Sequence, residues 1–307
     1  MLLMLLNCDG DGATEKNLEP QLPVTSCTEQ AGSSTYQCFT AIDGLERRFN
    51  YYLPPVYFET SNDLPILISL HGGGGTAEEN QEYTNLSILA DEENFIPVFP
   101  QGSVAEGKGT TGWFTGSCDG SEVCDIGFVS HIIDYLGLNM NVNLDEVYVT
   151  GFSNGAFMAY SLACNLSEKI AAVAPIAGSM ENGNFQTCYS THPLSIVHIH
   201  GATDNVIPNI GNEYFEPVRD VIDFWKDFNE CSQIVITDGK DNNNDGYIWG
   251  AETHIDCLYG VEVEYVNLGG FGHEWPSSTY TKEPADIDAS SYIWSFLSRY
   301  DINGIKK

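Results

Sequence analysis

Residues 147–160 have the sequence Val147-Tyr-Val-Thr-Gly151-Phe-Ser153-Asn-Gly155-Ala-Phe-Met-Ala-Tyr160. A β-branched run leads into a Gly-x-Ser-x-Gly turn, and a helical pattern follows. Because a strand that reverses sharply into a helix leaves no room for Cβ atoms beside the serine, the two glycines favour a nucleophile elbow. The spacing alone also fits an ordinary turn, but the flanking strand and helix favour an exposed Ser153 at a helix N-terminus.

A serine hydroxyl is a weak nucleophile and needs a histidine base and an acid that orients the base. One apolar strand pattern is followed by Asp204, and a second, alternating strand pattern is followed by a glycine-rich loop that carries His273. The chain order is then serine, acid, histidine, as in hydrolases with this elbow. We therefore predict Asp204 as the acid and His273 as the base for Ser153. His198 and His200 lie inside a strand pattern and are predicted to be packing residues.

A glycine-rich loop precedes the elbow in the chain. Residues 64–70 predict a buried strand, and His71 and four glycines follow it. We expect an N–H group of Gly73 or Gly74 to join the amide of Asn154 in binding a developing oxyanion, an effect worth about 3 kcal/mol per donor. A flexible linker is the alternative, but an HGGG type of loop after an early strand favours the oxyanion role.

Several blocks of the sequence together resemble the α/β-hydrolase esterases grouped as polyhydroxybutyrate depolymerase and feruloyl esterase relatives, in carbohydrate esterase family one. The similarity covers roughly residues 46–300, with matches at 70–75, Trp113, 125–128, 148–155, 162–164, 199–204, 229–231 and 270–276. The chain departs from the family pattern at Ala156, where glycine is usual, and at Cys124, where the first of two aspartates is usual. The resemblance implies an α/β-hydrolase fold and a serine esterase that needs no cofactor for catalysis.

The periodicity of apolar residues supports the same fold class. A chain of 307 residues with 42% apolar content suits one α/β domain. Strands are predicted at 46–53, 64–70, 95–99, 146–151, 171–177, 195–200 and 261–267, and helices at 126–138, 154–165, 215–229 and 286–299. The alternation predicts a mostly parallel sheet with helices on both faces and no lid domain. Such sheets bind ligands at the carboxyl ends of their strands.

The start of the chain predicts a separate segment. Residues 1–8 resemble the end of a bacterial lipoprotein signal, with Cys8 as the lipidated residue. This apolar fragment is too short to span a bilayer, which needs about 20 residues. A buried or disordered start is the alternative. Residues 9–35 are polar and predict a tether, so that the catalytic domain is expected to span 36–307.

Nine cysteines indicate an oxidising compartment, because a cytosolic chain of this type would seldom carry so many. Eight can pair and leave Cys8 over, which favours a secreted protein or a lipoprotein at a bacterial outer surface or in the periplasm. Other connectivities stay open, but sequence proximity suggests Cys27–Cys38, Cys118–Cys124, Cys164–Cys188 and Cys231–Cys257. The family pattern supports only the last pair.

The chain is strongly acidic. It has 12 Lys plus Arg against 43 Asp plus Glu, a net charge of −31 that is spread along the sequence. This charge excludes nucleic acid as a partner, and its self-repulsion is expected to keep the protein soluble and monomeric. Salt would screen the repulsion.

Aromatic residues near the predicted site are candidates for the walls of a substrate pocket. We expect Trp113, Phe114 and Trp275 to lie there, because an aromatic ring beside the site can stack on a feruloyl ring or on a flat polyester repeat. Packing in the core is the alternative for each of them.

An insertion at 238–252 contains a calcium-loop pattern. Residues 241–252 match the twelve-residue rule, with the ligand positions Asp241, Asn243, Asp245, Tyr247 (by its carbonyl) and Glu252. We expect a structural Ca²⁺ ion that stabilises the fold without taking part in catalysis. An acidic surface turn is the alternative, because no clear helix flanks the loop.

The sequence as a whole predicts a secreted or surface-anchored serine esterase. The absence of room for a lid favours a bulky or polymeric ester as its partner, either a feruloyl or acetyl ester of a polysaccharide or a polyester of the polyhydroxyalkanoate type. A serine peptidase of the same fold and a non-catalytic, calcium-stabilised surface binding protein are the alternatives.

Overall fold

The computed structural model describes residues 23–42, 44–104, 109–116, 123–242, 244, 246–277 and 285–307. Helices and strands alternate along most of this part of the chain. The strands are β1 (Thr25–Glu29), β2 (Thr35–Ile42), β3 (Leu45–Tyr52), β4 (Leu64–Leu70), β5 (Ile96–Pro100), β6 (Ser103–Val104), β7 (Thr111–Gly112), β8 (Val142–Phe152), β9 (Ala172–Ile176), β10 (Ser195–Gly201), β11 (Gln233–Asp238), β12 (Trp249–Ile255), β13 (Val263–Leu268), β14 (Tyr300–Asp301) and β15 (Gly304–Ile305). The helices are α1 (Ala77–Thr84), α2 (Leu86–Glu93), α3 (Asp125–Asn139), α4 (Asn154–Asn165), α5 (Asn182–Thr187), α6 (Val218–Phe228) and α7 (Ala289–Leu297).

Eleven of the described strands form one sheet in the order β1-β2-β3-β5-β4-β8-β9-β10-β13-β12-β11. The six strands from β5 to β13 in this order pair in parallel, and the strands at both edges pair antiparallel. The central strands carry apolar residues on both faces, as a sheet covered on two sides requires. The fold class is therefore confirmed as α/β of the hydrolase type, with antiparallel edges that the periodicity did not predict.

Two apolar layers enclose the sheet. Buried residues of α3, α4 and α6 pack on one face, and those of α1, α2 and α7 pack on the other. Along β4, Ile66 and Ile68 belong to the first layer and Leu67 to the second, as the two-residue period of a strand dictates. No helix among the described residues is long and apolar enough to cross a bilayer.

The start of the domain differs from the sequence prediction. Residues 25–29 form the edge strand β1, although the polar composition of 9–35 predicted a tether. The antiparallel pairing of β1 with β2 places Cys27 opposite Cys38, and a disulfide joins the two residues. The Thr25 hydroxyl also hydrogen-bonds the His131 imidazole of α3, with 2.9 Å between Oγ1 and Nε2. The described fold therefore begins before residue 36, while Cys8 and residues 9–22 lie outside the described residues.

Disulfides join three of the four predicted pairs, Cys27–Cys38, Cys164–Cys188 and Cys231–Cys257. The second fastens the end of α4 to the end of α5, and the third closes the base of the hairpin made by β11 and β12. The fourth predicted pair involves Cys118, which lies outside the described residues.

The hairpin at the far edge of the sheet exposes apolar surface. All six residues of β11 are exposed, including Ile234, Val235 and Ile236, and β11 is the last strand in the order. Within the described parts of the chain, β11 pairs along one edge, with β12. The sequence prediction missed this strand because its residues do not alternate between apolar and polar in the way a half-buried strand does.

The crossing of β4, β8 and α4 leaves no space for side chains at two glycines. A Cβ atom on Gly151 would overlap the Gly155 carbonyl, and a Cβ atom on Gly155 would overlap the carbonyls of Leu70 and His71. The turn also holds Ser153 at φ 54° and ψ −118°, a left-handed backbone conformation that a side chain makes costly. The glycines are therefore required by close packing of backbone on backbone.

We expect Gly155→Ala to lower the free energy of unfolding by about 3 kcal/mol, because the added methyl group must push α4 away from the end of β4. Urea unfolding measures the change. Gly183→Ala is the matched control, since a Cβ atom there meets no heavy atom within 4 Å. Equal stabilities of the two variants would contradict the packing argument.

Candidate active site

Three side chains from separate loops meet at the carboxyl ends of the central strands. Ser153 follows β8, Asp204 follows β10, and His273 follows β13. The His273 Nε2 atom lies 2.9 Å from the Ser153 Oγ atom, and its Nδ1 atom lies 2.7 Å from the Asp204 Oδ2 atom. The structure thus brings together the serine, histidine and aspartate that the sequence singled out.

The Asp204 carboxylate is buried and well supplied with donors. Its Oδ1 atom accepts hydrogen bonds from the backbone amides of Val206 and Ile207, at 2.9 and 2.8 Å. Burial alone would raise the pKa of Asp204, but hydrogen bonds from His200, His273 and the Ile207 amide outweigh it and hold this pKa well below its usual range. Asp204 is therefore ionised and can accept the Nδ1 proton of His273, which leaves Nε2 free to accept one from Ser153.

The loop of His273 is fixed against the loop of Asp204. Thr203 donates to the Phe271 carbonyl through its amide, at 3.0 Å, and through its hydroxyl, at 2.8 Å. A Cβ atom on Gly201 would overlap the carbonyls of Phe271 and Gly272, so the strand end and the histidine loop are in backbone contact. The imidazole also packs on the Phe152 ring, with 4.9 Å between centroids.

The two candidate oxyanion donors in the glycine loop after β4 differ in their hydrogen bonds. The Gly74 amide donates to the Thr111 carbonyl at 2.7 Å, so the prediction of Gly74 as an oxyanion donor is wrong. The loop needs this bond because it joins Gly74 to the short strand β7. Gly73 lies against Asn154, with 3.7 Å between an ideal Gly73 Cβ and the Asn154 Cβ. Among the described residues, no hydrogen bond takes up the Gly73 or the Asn154 amide.

Buried side chains hold the glycine loop after β4 in place. The His71 Nδ1 atom donates to the Gly72 carbonyl at 2.7 Å, and its Nε2 atom accepts from the Gly102 amide at 2.9 Å. Burial lowers the pKa of His71, which keeps the ring neutral and able to accept that bond. The Asn154 Oδ1 atom accepts from the Trp113 amide at 2.7 Å, and the Trp113 indole donates to the His71 carbonyl at 2.8 Å.

A cleft of about 570 Å³ opens beside Ser153. Its lining combines aromatic, aliphatic and acidic residues from α4, α5 and the loop before α6, with Phe157, Glu181, Ile207, Glu213, Tyr214 and Phe215 beside the serine. The Phe157 and Phe215 rings meet edge to face at 5.6 Å. The sequence analysis missed these residues because their loops carry no periodic signal, although Phe157 lies one helical turn after Ser153.

The aromatic residues predicted as pocket walls do not line this cleft. Trp113 and Trp275 are only 6% and 5% exposed. The Trp113 indole donates to the His71 carbonyl, and Trp275 packs on Tyr83 at 5.8 Å between centroids, so both residues fit the alternative of packing in the core. Phe114 is 44% exposed, and its role as a pocket wall stays a prediction. For Trp275, nearness to His273 in the sequence did not decide which way the ring points.

The calcium-loop pattern is not supported in the part of the chain that the structure describes. Asn243 and Asp245 lie outside the described residues, and Asp241 accepts a hydrogen bond from the Gly246 amide at 3.0 Å. Glu252, which should close the loop from a helix, lies in β12 and pairs with Arg219. No group of three His, Cys, Asp or Glu residues suited to a metal ion occurs among the described residues. The described residues therefore give no support to the predicted Ca²⁺ site.

Comparisons with known proteins agree with the resemblance seen in the sequence. The family model described as Phospholipase/Carboxylesterase matches residues 125–234, less than half of the chain. The bifunctional acetylxylan esterase/xylanase XynS20E of Neocallimastix patriciarum is 30% identical over 266 residues, which is 85% of this chain and 34% of that protein. Feruloyl esterase D of Neurospora crassa is 26% identical over 278 residues, 85% of each chain. The chain thus spans about a third of the first relative's length.

A solved structure supports the fold. The acetyl xylan esterase from Aspergillus awamori superposes with a TM-score of 0.58 at 15% identity, over 82% of this chain and 94% of that chain. The resemblance to the feruloyl esterase group is confirmed by these comparisons, as is the relationship to carboxylic ester hydrolases.

The low pKa of Asp204 makes stability depend on pH. A carboxyl group whose pKa is lower in the folded state stabilises the fold above its unfolded pKa, about 3.9, and this contribution is lost as the pH falls towards the folded value. We expect Asp204→Asn to be less stable than the parent at pH 6, and the difference to shrink below about pH 4. Urea unfolding between pH 6 and pH 3 measures it. A difference that stays constant over this range would contradict the assignment.

Proposed function

We propose that this α/β-hydrolase, a relative of the feruloyl esterases, is a serine esterase that cleaves carboxylic esters of bulky or polymeric substrates. The observation that carries the proposal is the continuous hydrogen-bonded series from the Ser153 hydroxyl through His273 to the ionised Asp204. A hydroxyl held 2.9 Å from an imidazole can transfer its proton as it attacks.

The mechanism follows from the geometry. The Ser153 Oγ atom attacks the ester carbonyl while His273 Nε2 takes the serine proton, and the Gly73 and Asn154 amides stabilise the oxyanion of the tetrahedral intermediate. His273 then gives its proton to the leaving alkoxide, so that an alcohol departs and an acyl-serine remains. Water attacks this ester with His273 again as the base, the acid product leaves, and the serine regains its proton. Asp204 keeps the ring oriented and stabilises its positive charge.

The cleft favours an ester with an aromatic or extended group. The exposed ring of Tyr214 offers a surface for stacking, and the largely buried Phe157 and Phe215 form an apolar wall beside it, while Glu181 and Glu213 can accept hydrogen bonds from sugar hydroxyls. The described residues form no lid over Ser153, so a polymer chain can lie across the site. We therefore propose a feruloyl or acetyl ester of a polysaccharide as the substrate class, with a polyester as the alternative.

Location is a further part of the proposal. Disulfides are rarely maintained in the cytosol, and the three described disulfides suit a secreted or periplasmic protein. Lipid attachment at Cys8 stays a prediction.

We expect Ser153→Ala to lower the kcat for short 4-nitrophenyl esters by about 10⁴-fold or more, because Ser153 carries the one hydroxyl among the described residues that hydrogen-bonds His273. Alanine adds no strain at this position, since serine already carries a Cβ atom there, and the melting temperature should not change. A fluorophosphonate should label the parent at one site and leave the variant unlabelled. Undiminished turnover in the variant would remove Ser153 as the nucleophile.

The exposed ring of Tyr214 provides a test of the cleft. We expect Tyr214→Ala to raise the KM for methyl ferulate by about threefold to tenfold, the equivalent of one aromatic contact, without changing stability. Tyr189→Ala is the control, since Tyr189 is equally exposed but does not line the cleft. Equal KM values for the two variants would show that the substrate does not bind in this cleft.

A panel of methyl ferulate, acetylated xylan, polyhydroxybutyrate and a peptide ester, compared by kcat/KM, separates esterase, depolymerase and peptidase.

A further inference from the structure

A series of buried polar side chains runs beneath the acid. Tyr160 lies on α4, two turns after Ser153, and His198 and His200 lie on β10, which leads to Asp204. The Tyr160 hydroxyl is 2.8 Å from His198 Nδ1, His198 Nε2 is 3.0 Å from His200 Nδ1, and His200 Nε2 is 2.8 Å from the Ile207 carbonyl oxygen. All three side chains are almost fully buried. Three polar side chains in an apolar layer are costly unless each is satisfied, so their retention needs a reason.

With one proton on each imidazole, the partners fix the direction of every hydrogen bond. The Ile207 carbonyl can only accept, so His200 carries its proton on Nε2 and accepts on Nδ1. His198 must then donate from Nε2 and accept on Nδ1, and the proton that it accepts comes from the Tyr160 hydroxyl. Burial lowers the pKa of His198 well below its usual value, and burial raises that of Tyr160. In this arrangement all three groups point their protons towards the acid.

The last donor in the series also reaches the acid itself. His200 Nε2 lies 3.4 Å from Asp204 Oδ2, the oxygen that holds His273. Its main partner, the Ile207 carbonyl, belongs to the residue whose amide donates to Asp204 Oδ1 and whose side chain lines the cleft. Two hydrogen bonds therefore hold the turn 204–207, one from His200 to the Ile207 carbonyl and one from the Ile207 amide to Asp204.

We propose that His200 is a positioning residue for the acid, and that His198 and Tyr160 hold it in the tautomer that donates from Nε2. The series joins α4, which follows Ser153, to β10, which leads to Asp204. It therefore sets the distance between Ser153 and Asp204, which the His273 ring must span. This inference rests on the proposed esterase activity. Buried polar groups with only a structural role would change stability when replaced, whereas positioning residues also change kcat at constant KM.

The first test compares two replacements of His200. His200→Gln keeps an amide that can donate to the Ile207 carbonyl, while His200→Leu removes the donor. We expect His200→Leu to lower kcat for a 4-nitrophenyl ester by about tenfold or more, the effect of a small misplacement of the base, with KM within about twofold of the parent. His200→Gln should recover most of that loss. Equal kcat values for the parent and both variants would overturn the proposal.

The second test uses hydroxyl removal, which a fold tolerates better than loss of a buried imidazole. Tyr160→Phe leaves His198 without its donor, and we expect a kcat about threefold lower, because the tautomer of His200 is then less strictly fixed. Tyr148→Phe is the matched control, since this buried hydroxyl donates to the Tyr300 carbonyl at 2.7 Å, outside the series. The two variants should lose similar stability, and only Tyr160→Phe should lose kcat. If both or neither lose kcat, the series has no positioning role.

Proton NMR separates this inference from the proposed function, because it needs no turnover. In the parent the Nδ1 proton of His273, shared with Asp204, should give a strongly downfield resonance. We expect this resonance to shift or broaden in Tyr160→Phe and His200→Leu and to stay unchanged in Tyr148→Phe. A parent that neither cleaves esters nor reacts with a fluorophosphonate would refute the esterase proposal, whereas an unchanged resonance in both variants would refute the positioning role.

Discussion

The close approach of two backbones controls this structure. The first turn of α4 lies on the end of β4, with Gly155 against the carbonyls of Leu70 and His71. Because no side chain separates them, the helix begins directly behind the glycine loop, and the Asn154 amide lies beside Gly73. Next to this contact, Ser153 has its left-handed backbone conformation, and its Oγ atom lies 2.9 Å from His273 Nε2. The positions of Ser153, the Asn154 amide and Gly73 therefore depend on one region of tight packing.

The hydrogen bonds to the buried Asp204 carboxylate are a second support of the site. An ionised carboxylate in a buried position is costly, and Asp204 offsets that cost with two backbone amides and two imidazoles. His200 lies beside this carboxylate as a further hydrogen-bonding group, and His198 and Tyr160 continue the series away from it. His71 fixes the glycine loop after β4 in a comparable way, as a ring that both donates and accepts. Buried imidazoles thus hold the loops around the site, and His273 is the imidazole that contacts both Asp204 and Ser153.

The sequence predicted what local patterns determine and missed what tertiary contacts determine. The helix at 154–165 has the bounds that were predicted, and the strand ends that carry Ser153, Asp204 and His273 followed from their apolar runs and glycines. Gly74 could not be separated from Gly73, because its amide is taken up by Thr111, 37 residues further along the chain. Trp275 was misplaced because the direction of its ring depends on Tyr83, a contact that no spacing encodes. The strand β1 was hidden by its polar composition, since an edge strand on the surface buries little.

The exposed edge strand β11 has a consequence for handling the protein. It has three consecutive apolar residues, and no described strand pairs with its outer edge. Foreign strands, including copies of itself, can add to such an edge and grow into aggregates. A net charge of −31 opposes such encounters over long range. Because the Debye length falls from about 10 Å at 0.1 M salt to about 3 Å at 1 M, this protection weakens as ionic strength rises. In concentrated salt, resistance to aggregation then depends on whether other strands can reach the edge of β11. A lysine in place of Val235 would put a charge on this edge and oppose pairing there.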